Sequence, residues 1–222
     1  MSSAARWSVA ALVVVAALVV AIWPRGNDAQ APSYEDRFGP GGSTPMSVGA
    51  DPGADPGALS ALRADAALEP CPAPFSAPAA DSVLAGITLE CVGDGSGVDL
   101  ASALAGRPAL LNLWAYWCGP CAEELPYMQQ FSDRAGDAVT VLTVHTDPQQ
   151  ASALARLVDY SVTLPGVQDA DGRVAAAVGA PAVLPVSVLI RPDGSVAKIL
   201  PQPFRSVEEI AAAVEQNLGV AA

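Results

Sequence analysis

Three kinds of hydrophobic pattern follow one another along the chain. Residues 7–23 (WSVAALVVVAALVVAIW) are an unbroken apolar run without charge, with a tryptophan at each end. Residues 24–63 are rich in Gly, Pro, Ala, Ser and Asp and show no useful helical or strand periodicity, so we expect a flexible tether there. In residues 64–222, short apolar strands alternate with helical patterns, which predicts one α/β domain.

The first apolar run has the features of a membrane helix. Its 17 residues would span about 25 Å at a rise of about 1.5 Å per residue, against a hydrocarbon core of about 30 Å. Tryptophans at both ends suit the two interfaces of a bilayer. We therefore expect residues 1–6 to be a short cytoplasmic tail and residues 7–23 a single transmembrane signal anchor. The remaining chain would lie on the extracytoplasmic side of the cell membrane.

Two other interpretations of this run stay open. Ala29-Gln30-Ala31 places small residues where a signal peptidase could cut after Ala31, which would release a secreted form. The third interpretation is a buried core helix, but such a helix normally carries a polar stripe and this run has none.

Within the α/β domain, the pattern predicts five strands and five helices. The strands are expected at 86–92, 108–114, 138–144, 186–190 and 196–200, and the helices at 99–104, 118–132, 149–160, 171–178 and 206–218. The run 108–114 is continuously apolar, which is typical of a central buried strand. Turn residues at 93–95 predict an N-terminal hairpin extension, and those at 191–195 predict a second hairpin. We also expect a kink at Pro126 and a helix cap formed by Ser206 with Glu209.

Charge and composition narrow the possible functions. The formal net charge is −12 and the chain has no block of Lys or Arg, so we do not expect a nucleic-acid partner. The only histidine, His145, cannot form a multi-histidine metal site. We expect it on a loop after a strand, without a catalytic role, and we expect neither a metal nor a cofactor.

The candidate chemistry lies in Trp117-Cys118-Gly119-Pro120-Cys121, where the central strand ends and a helix begins. A thiolate at a helix N-terminus is stabilised by unpaired backbone N–H groups and the positive end of the helix dipole. We therefore expect Cys118 to be the nucleophile and Cys121, one turn later, to resolve a mixed disulfide. A zinc site would need further ligands, and no second paired-cysteine motif is present. A purely structural disulfide is the other alternative.

The stretch RPALLNLWAYWCGPCAEELP, residues 107–126, resembles thioredoxins. It is more similar to the membrane-tethered TlpA/ResA/CcmG-type thiol:disulfide oxidoreductases of bacterial cell envelopes, and the likeness extends from about residue 86 to 218. Asn112 stands where a cytoplasmic thioredoxin has a buried aspartate, and the N-terminal anchor and tether match the envelope layout. The resemblance implies a thioredoxin-like fold, with a central mixed β-sheet flanked by helices.

Glu124 follows Cys121 by three residues and matches an acidic residue that TlpA-like proteins carry beside their cysteines. The resemblance implies a catalytic role, in which a raised pKa lets Glu124 exchange a proton with the thiols. The competing interpretation is an exposed carboxylate in the first turn of the helix, where the dipole favours it. We expect Asn112 to be a packed polar residue without a catalytic role.

The resemblance also implies five residues that contact substrate: Trp117, Gly119, Pro120, Leu184 and Pro185. Thioredoxin folds carry a cis-proline opposite the cysteines, just before an antiparallel strand, and Leu184-Pro185 stands in that position. Pro181 is a nearby competitor for this role. A cis Pro185 would expose backbone groups for pairing with a substrate.

Cys71 and Cys91 lie upstream of the motif, and Cys91 is on the first predicted strand. An oxidising cell envelope permits a structural disulfide between them, worth about 3 kcal/mol in the chain-entropy picture. Two free buried thiols, or a second electron relay, are the alternatives.

The resemblance implies an enzyme that reduces selected protein disulfides, with apocytochrome c as the first substrate to consider. Its electrons would come from a membrane thiol donor of the CcdA/DsbD type. A disulfide-introducing oxidase and a non-enzymatic tethered binding module remain alternatives. The Gly119-Pro120 dipeptide resembles that of thioredoxin, whose potential of about −270 mV is reducing.

Overall fold

The computed structural model describes residues 56–221 of the chain. Its strands are β1 (Thr88–Cys91), β2 (Gly97–Asp99), β3 (Ala109–Trp114), β4 (Thr140–His145), β5 (Gly166–Gln168), β6 (Val186–Ile190) and β7 (Val196–Leu200). Its α-helices are α1 (Pro56–Ala66), α2 (Leu100–Ala103), α3 (Gly119–Ala135), α4 (Gln150–Asp159), α5 (Arg173–Val178) and α6 (Val207–Leu218), and a short 3-10 helix spans Gly136–Ala138.

The seven strands form one mixed sheet in the order β2-β1-β5-β4-β3-β6-β7. β3 pairs in parallel with β4, and β4 with β5, while the other neighbours are antiparallel. All of β3 is buried because successive side chains enter the cores on opposite faces of the sheet. Leu110 belongs to the core cluster that contains Phe131 of α3 and Ile210 of α6, whereas Leu111 belongs to the cluster on the other face, with Leu100 of α2. This is the thioredoxin-like α/β arrangement that the resemblance implied.

Local sequence features place the ends of several elements. The β1–β2 hairpin forms as predicted, and Asp99 caps α2 by accepting a hydrogen bond from the Ser102 N–H at 2.8 Å. Ser206 caps α6 by accepting from the Glu209 N–H at 3.2 Å. Helix α3 is continuous through Pro126 and extends to Ala135, three residues beyond its predicted end at 132. These ends follow from capping side chains and turn residues that the sequence itself displays.

The predicted tether at 24–63 is wrong at its C-terminal end, because Pro56–Ala66 forms helix α1. Leu59 and Leu62 of this helix pack against a small cluster that includes Leu154 of α4. Burial against another helix stabilises a segment whose own propensity is modest. The predicted tail, the predicted anchor and the rest of the tether lie outside the described residues. Within residues 56–221, no helix has both the length and the apolar character needed to cross a bilayer.

Two features near the centre of the sheet differ from expectation. Strand β5 was not predicted, because a run of three residues carries no periodicity, and it forms by pairing with β4 on one side and β1 on the other. His145 does not lie on a loop. It is the last residue of β4 and is 1% exposed.

Candidate active site

The structure joins Cys118 and Cys121 in a disulfide at the start of α3, with their Cα atoms 5.3 Å apart. Cys118 is the N-cap residue, and its Sγ accepts a hydrogen bond from the Cys121 N–H at 3.2 Å. Cys118 retains 6% exposure whereas Cys121 is fully buried. A partner molecule can therefore reach Cys118 more readily than Cys121, which suits an attacking and a resolving sulfur respectively.

An apolar groove of about 520 Å³ opens beside Cys118. Trp117, Gly119, Pro120 and Leu184, four of the five residues predicted to contact substrate, line it together with Pro181 and Val183. Trp117 and Val183 are 61% and 51% exposed. The lining side chains, all within the described part of the chain, carry no charge. The groove therefore offers an uncharged surface to whatever approaches Cys118.

The fifth predicted residue, Pro185, follows a cis peptide bond between Leu184 and Pro185. The predicted cis-proline is thus confirmed at Pro185 rather than at Pro181, which lines the groove nearby. Pro185 immediately precedes β6, which pairs antiparallel with β3. The β3–β6 pairing therefore brings the proline to the end of the sheet from which the cysteine motif projects.

Glu124 is fully buried on α3, one helical turn after Cys121. Its two carboxylate oxygens accept hydrogen bonds from Asn112 Nδ2 at 2.7 Å and from the Phe204 backbone N–H at 2.9 Å. Burial raises the pKa of Glu124 to about 7, and the two hydrogen bonds offset only part of that rise. The exposed, helix-terminal interpretation of Glu124 is therefore wrong.

Three residues near Glu124 were given no part in the site by the sequence: Asn112, which was expected only as a packed polar residue without a catalytic role, Ser187 and Phe204. Asn112 on β3 supports the carboxylate directly, and its Nδ2 also lies 3.5 Å from Ser187 Oγ on β6. A polar side chain inside a continuous apolar strand is itself a signal, because buried amides need hydrogen-bond partners. Phe204 contributes only its backbone N–H, which every residue except proline possesses, so its identity gives no such signal.

Cys71 and Cys91 form a second disulfide, with Cα atoms 6.1 Å apart. Their predicted pairing is confirmed, and the alternative of two free thiols is wrong for this state. Neither residue lines the groove beside Cys118, and their stabilising role stays a prediction. Within residues 56–221, no three His, Cys, Asp or Glu side chains cluster as a metal site would require.

Comparison with known families agrees with this geometry. Residues 76–214, more than half of the chain, match the sequence model of the Redoxin family. The chain belongs to the Redoxin family. The Redoxin region contains both the Cys118–Cys121 disulfide and Glu124, and it contains Cys91 but not Cys71.

Curated relatives of this Redoxin chain include thiol-disulfide oxidoreductases named ResA. The ResA of Bacillus subtilis is 33% identical over 100 residues, which cover 45% of this chain and 55% of that protein. The ResA of Oceanobacillus iheyensis is 32% identical over 102 residues, which cover 45% and 52%. The chain thus spans about half the length of the curated relatives it matches.

Two solved structures share the fold of this Redoxin domain. A secreted Mycobacterium tuberculosis disulfide oxidoreductase, homologous to the Escherichia coli protein DsbE, is 27% identical with a TM-score of 0.53. It covers 62% of this chain and 99% of its own length. The Mycobacterium tuberculosis protein DsbF, solved in mixed oxidised and reduced forms, is 26% identical with a TM-score of 0.54, covering 60% and 96%.

Proposed function

We propose that this protein is a thiol:disulfide oxidoreductase whose Cys118–Cys121 pair exchanges disulfides with other proteins. The observation that carries the proposal is the placement of this disulfide at a helix N-terminus, beside an uncharged groove, with one sulfur more exposed than the other. A structural disulfide would have no need of such a groove. The names of the ResA relatives and of the secreted Mycobacterium tuberculosis disulfide oxidoreductase support the same activity.

In the reductive direction, the reaction starts from the dithiol form of the enzyme. The Cys118 thiolate attacks one sulfur of a substrate disulfide, forming a mixed disulfide and releasing a substrate thiolate that takes up a proton. The Cys121 thiolate then attacks Cys118 Sγ and releases the second substrate thiol. Two electrons have passed to the substrate, and the enzyme is left with the Cys118–Cys121 disulfide seen in the structure. A donor dithiol must then reduce it again.

Glu124 is proposed to accept and return the proton of Cys121 during this cycle. Glu124 follows Cys121 by one turn of the same helix, and its pKa of about 7 permits both protonation states near neutral pH. Its hydrogen-bond partners, Asn112 and the Phe204 N–H, are uncharged. These two hydrogen bonds offset only part of the rise in pKa that burial causes, so ionised Glu124 is more basic than an exposed carboxylate and can accept a proton from a thiol.

We further propose that the physiological direction is reduction, with apocytochrome c as substrate in cytochrome c maturation and a CcdA/DsbD-type membrane protein as electron donor. The thioredoxin-like Gly119-Pro120 dipeptide and the resemblance to TlpA/ResA/CcmG-type proteins support this assignment.

The domain would face the extracytoplasmic side, held by an anchor at residues 7–23. The apolar run itself and the Cys71–Cys91 disulfide, a feature of oxidising compartments, support that location.

Trapping the mixed disulfide tests the activity. Cys121→Ser should accumulate covalent adducts with partner proteins, because the mixed disulfide at Cys118 then has no intramolecular route of release. Cys118→Ser should accumulate none, because it lacks the attacking sulfur. The measurement uses thiol-blocked membrane extracts of cells carrying the full-length variants, non-reducing gels and mass spectrometry of each reducible adduct.

The identity and pattern of the adducts distinguish the alternatives. Adducts with apocytochrome c would support cytochrome maturation. Equal trapping by both variants would contradict the proposed order of attack. No trapping by either variant, with a wild type also inert toward disulfides, would favour a tethered binding module. A redox titration that gives a strongly oxidising potential would favour a disulfide-introducing oxidase.

A further inference from the structure

Trp117 forms one wall of the groove beside Cys118 and is 61% exposed. An exposed aromatic side chain would ordinarily sample several rotamers. Here its indole Nε1–H donates a hydrogen bond to Asp147 Oδ2 at 2.9 Å. The orientation of this wall therefore depends on where the loop that carries Asp147 is held.

The loop after β4 is fixed at several points. Thr146 donates to the Trp114 carbonyl oxygen through both its backbone N–H, at 2.9 Å, and its hydroxyl, at 3.2 Å. The second carboxylate oxygen of Asp147, Oδ1, accepts from the Gln149 N–H at 2.8 Å. The Asp147 backbone carbonyl accepts from Nε2 of Gln168, a half-buried residue of β5. Gln168 thus ties the loop to a strand that contributes no residue to the groove.

The side-chain oxygen of Gln168 is held in turn by His145. Its Oε1 lies 3.0 Å from Nδ1 of His145, the residue beside it in the β4–β5 pairing. Because the Gln168 amide nitrogen is directed at the Asp147 carbonyl, its oxygen must accept, so the proton of neutral His145 is on Nδ1. His145 is 1% exposed and packs against the Trp114 ring, with ring centroids 5.0 Å apart.

We propose that Gln168 and His145 are positioning residues that, through Asp147, hold the Trp117 indole in place as a wall of the substrate groove. This inference rests on the proposed function, since it makes the groove a binding site for the polypeptide around a substrate disulfide. It assigns a role in substrate binding to a histidine and a glutamine that do not line the groove. Loss of the hydrogen bond between Gln168 and the Asp147 carbonyl should weaken binding of a polypeptide and leave the chemistry of Cys118 unchanged.

The test is a single-turnover reduction of two disulfides by the reduced full-length protein. One is a disulfide-linked, fluorescence-quenched peptide with valine on each side of one cysteine, and the other is hydroxyethyl disulfide, which is too small to fill the groove. Gln168→Leu should raise the half-saturating peptide concentration about threefold to tenfold, as expected for losing about one hydrogen bond. Its rate constant at saturation and its rate with hydroxyethyl disulfide should stay within about twofold of wild type.

Three further variants separate positioning from general damage. Asp147→Leu should behave like Gln168→Leu, and Asp147→Asn should stay near wild type because it keeps an oxygen that can accept the indole N–H. Gln129→Leu is the matched control, since Gln129 also binds a backbone group, the Thr163 N–H at 2.9 Å. It lies on α3 outside the groove, and its half-saturating concentration should not change.

Solvent exchange of the Trp117 indole N–H, measured by NMR on tryptophan-labelled full-length protein, reports the contact itself. Exchange should be slow in wild type and faster in Gln168→Leu, with Trp117→Phe identifying the resonance. Unchanged exchange, an unchanged half-saturating concentration, or an equal rise in Gln129→Leu would each overturn the proposal. If wild type reduces neither disulfide, the proposed function is wrong, and the exchange rate alone decides whether Gln168 positions Trp117.

Discussion

Glu124 lies between the amide of Asn112 and the backbone N–H of Phe204, without access to solvent. Each of these hydrogen bonds favours the ionised form of the carboxyl group, whereas removal from water favours the neutral form. Removal from water dominates, because the pKa is raised to about 7 from an ordinary value of 4.5. The proton affinity of this side chain is therefore set by helix α3, strand β3 and the segment before α6, rather than by its own neighbours in sequence.

This pKa predicts how the stability of the oxidised protein depends on pH. Glu124 binds its proton more tightly in the native protein than in the unfolded chain. The protonated side chain therefore contributes to the free energy of unfolding in full below about pH 4.5, and this contribution is lost as pH rises through about 7. The loss amounts to about 3 kcal/mol in the free energy of unfolding. The Glu124→Gln variant has no carboxyl group at this position, so its free energy of unfolding should not fall in this way as pH rises.

Urea unfolding of oxidised wild type and Glu124→Gln at several pH values between about 4 and 8 measures this difference. Glu123→Gln is the matched control, since Glu123 is an exposed residue of the same helix whose side chain is 75% accessible. We also expect Glu124→Gln to shift the pH profile of Cys118 alkylation in the reduced protein, through coupling of the titrations. If wild type and Glu124→Gln gave the same stability curves and the same alkylation profiles, Glu124 would have only a structural role.

At the scale of elements, the Cys71–Cys91 disulfide joins an irregular segment to the sheet. Cys91 ends β1, which pairs with β2 on one side and with β5 on the other. Cys71 lies 20 residues earlier, between α1 and β1 in a stretch with no strand partner of its own. The covalent link therefore adds to the Glu69 N–H, which donates to the Thr163 carbonyl oxygen at 2.7 Å, in holding a segment that is not part of a strand.

Removing that link should lower stability but leave the chemistry intact. Cys71→Ser should reduce the free energy of unfolding by about 3 kcal/mol, as expected for a closed loop of this length. Disulfide exchange at Cys118 should be retained at moderate temperature, because neither Cys71 nor Cys91 lines the groove. Thermal unfolding and reduction of hydroxyethyl disulfide are the two measurements.

The double variant Cys71→Ser/Cys91→Ser controls for side reactions of the remaining free thiol. If Cys71→Ser melted like wild type but had lost turnover, the structural and catalytic assignments of the two pairs would have to be exchanged. Loss of both stability and turnover only in the single variant would point to interference by the free Cys91.

At the scale of the whole molecule, the folded domain begins earlier than its hydrophobic pattern suggests. Arg63 on α1 donates through Nε to the Val92 carbonyl oxygen at 3.1 Å and forms an ion pair with Glu90. Leu59 and Leu62 add apolar contacts with the cluster that contains Val92 and Leu154. Residues 56–63 of the predicted tether therefore belong to the folded domain.

The proposed anchor makes a prediction about the intact protein in its native cells. With residues 7–23 uncleaved, the protein should stay in the membrane fraction after washing with high salt and carbonate, and its N-terminal peptide should be found by mass spectrometry. An impermeant thiol reagent should label reduced Cys118 in intact cells, because the proposed anchor would place the domain outside the cytoplasm. A mature chain that begins at Pro32 and is found in the medium would instead establish the cleaved, secreted form.

Much of the site was predictable because its features are local. The WCGPC motif at a strand-to-helix junction, Glu124 one turn later and Leu184-Pro185 ahead of a strand are all properties of short stretches. Helix α1 and strand β5 were missed for the opposite reason. Neither is specified by its own residues, and each forms because the rest of the domain supplies a surface or a pairing edge.

The sequence by itself determined which atoms are available for chemistry: four cysteines, one buried-strand amide at Asn112 and a carboxyl group at Glu124. Only the tertiary structure decided how those atoms behave. It placed Glu124 out of contact with water, supplied the Phe204 N–H from 80 residues away, and linked Trp117 through Asp147 to Gln168. Proton affinity and side-chain orientation depend on solvent exclusion and on hydrogen bonds between distant segments, and a local pattern contains neither.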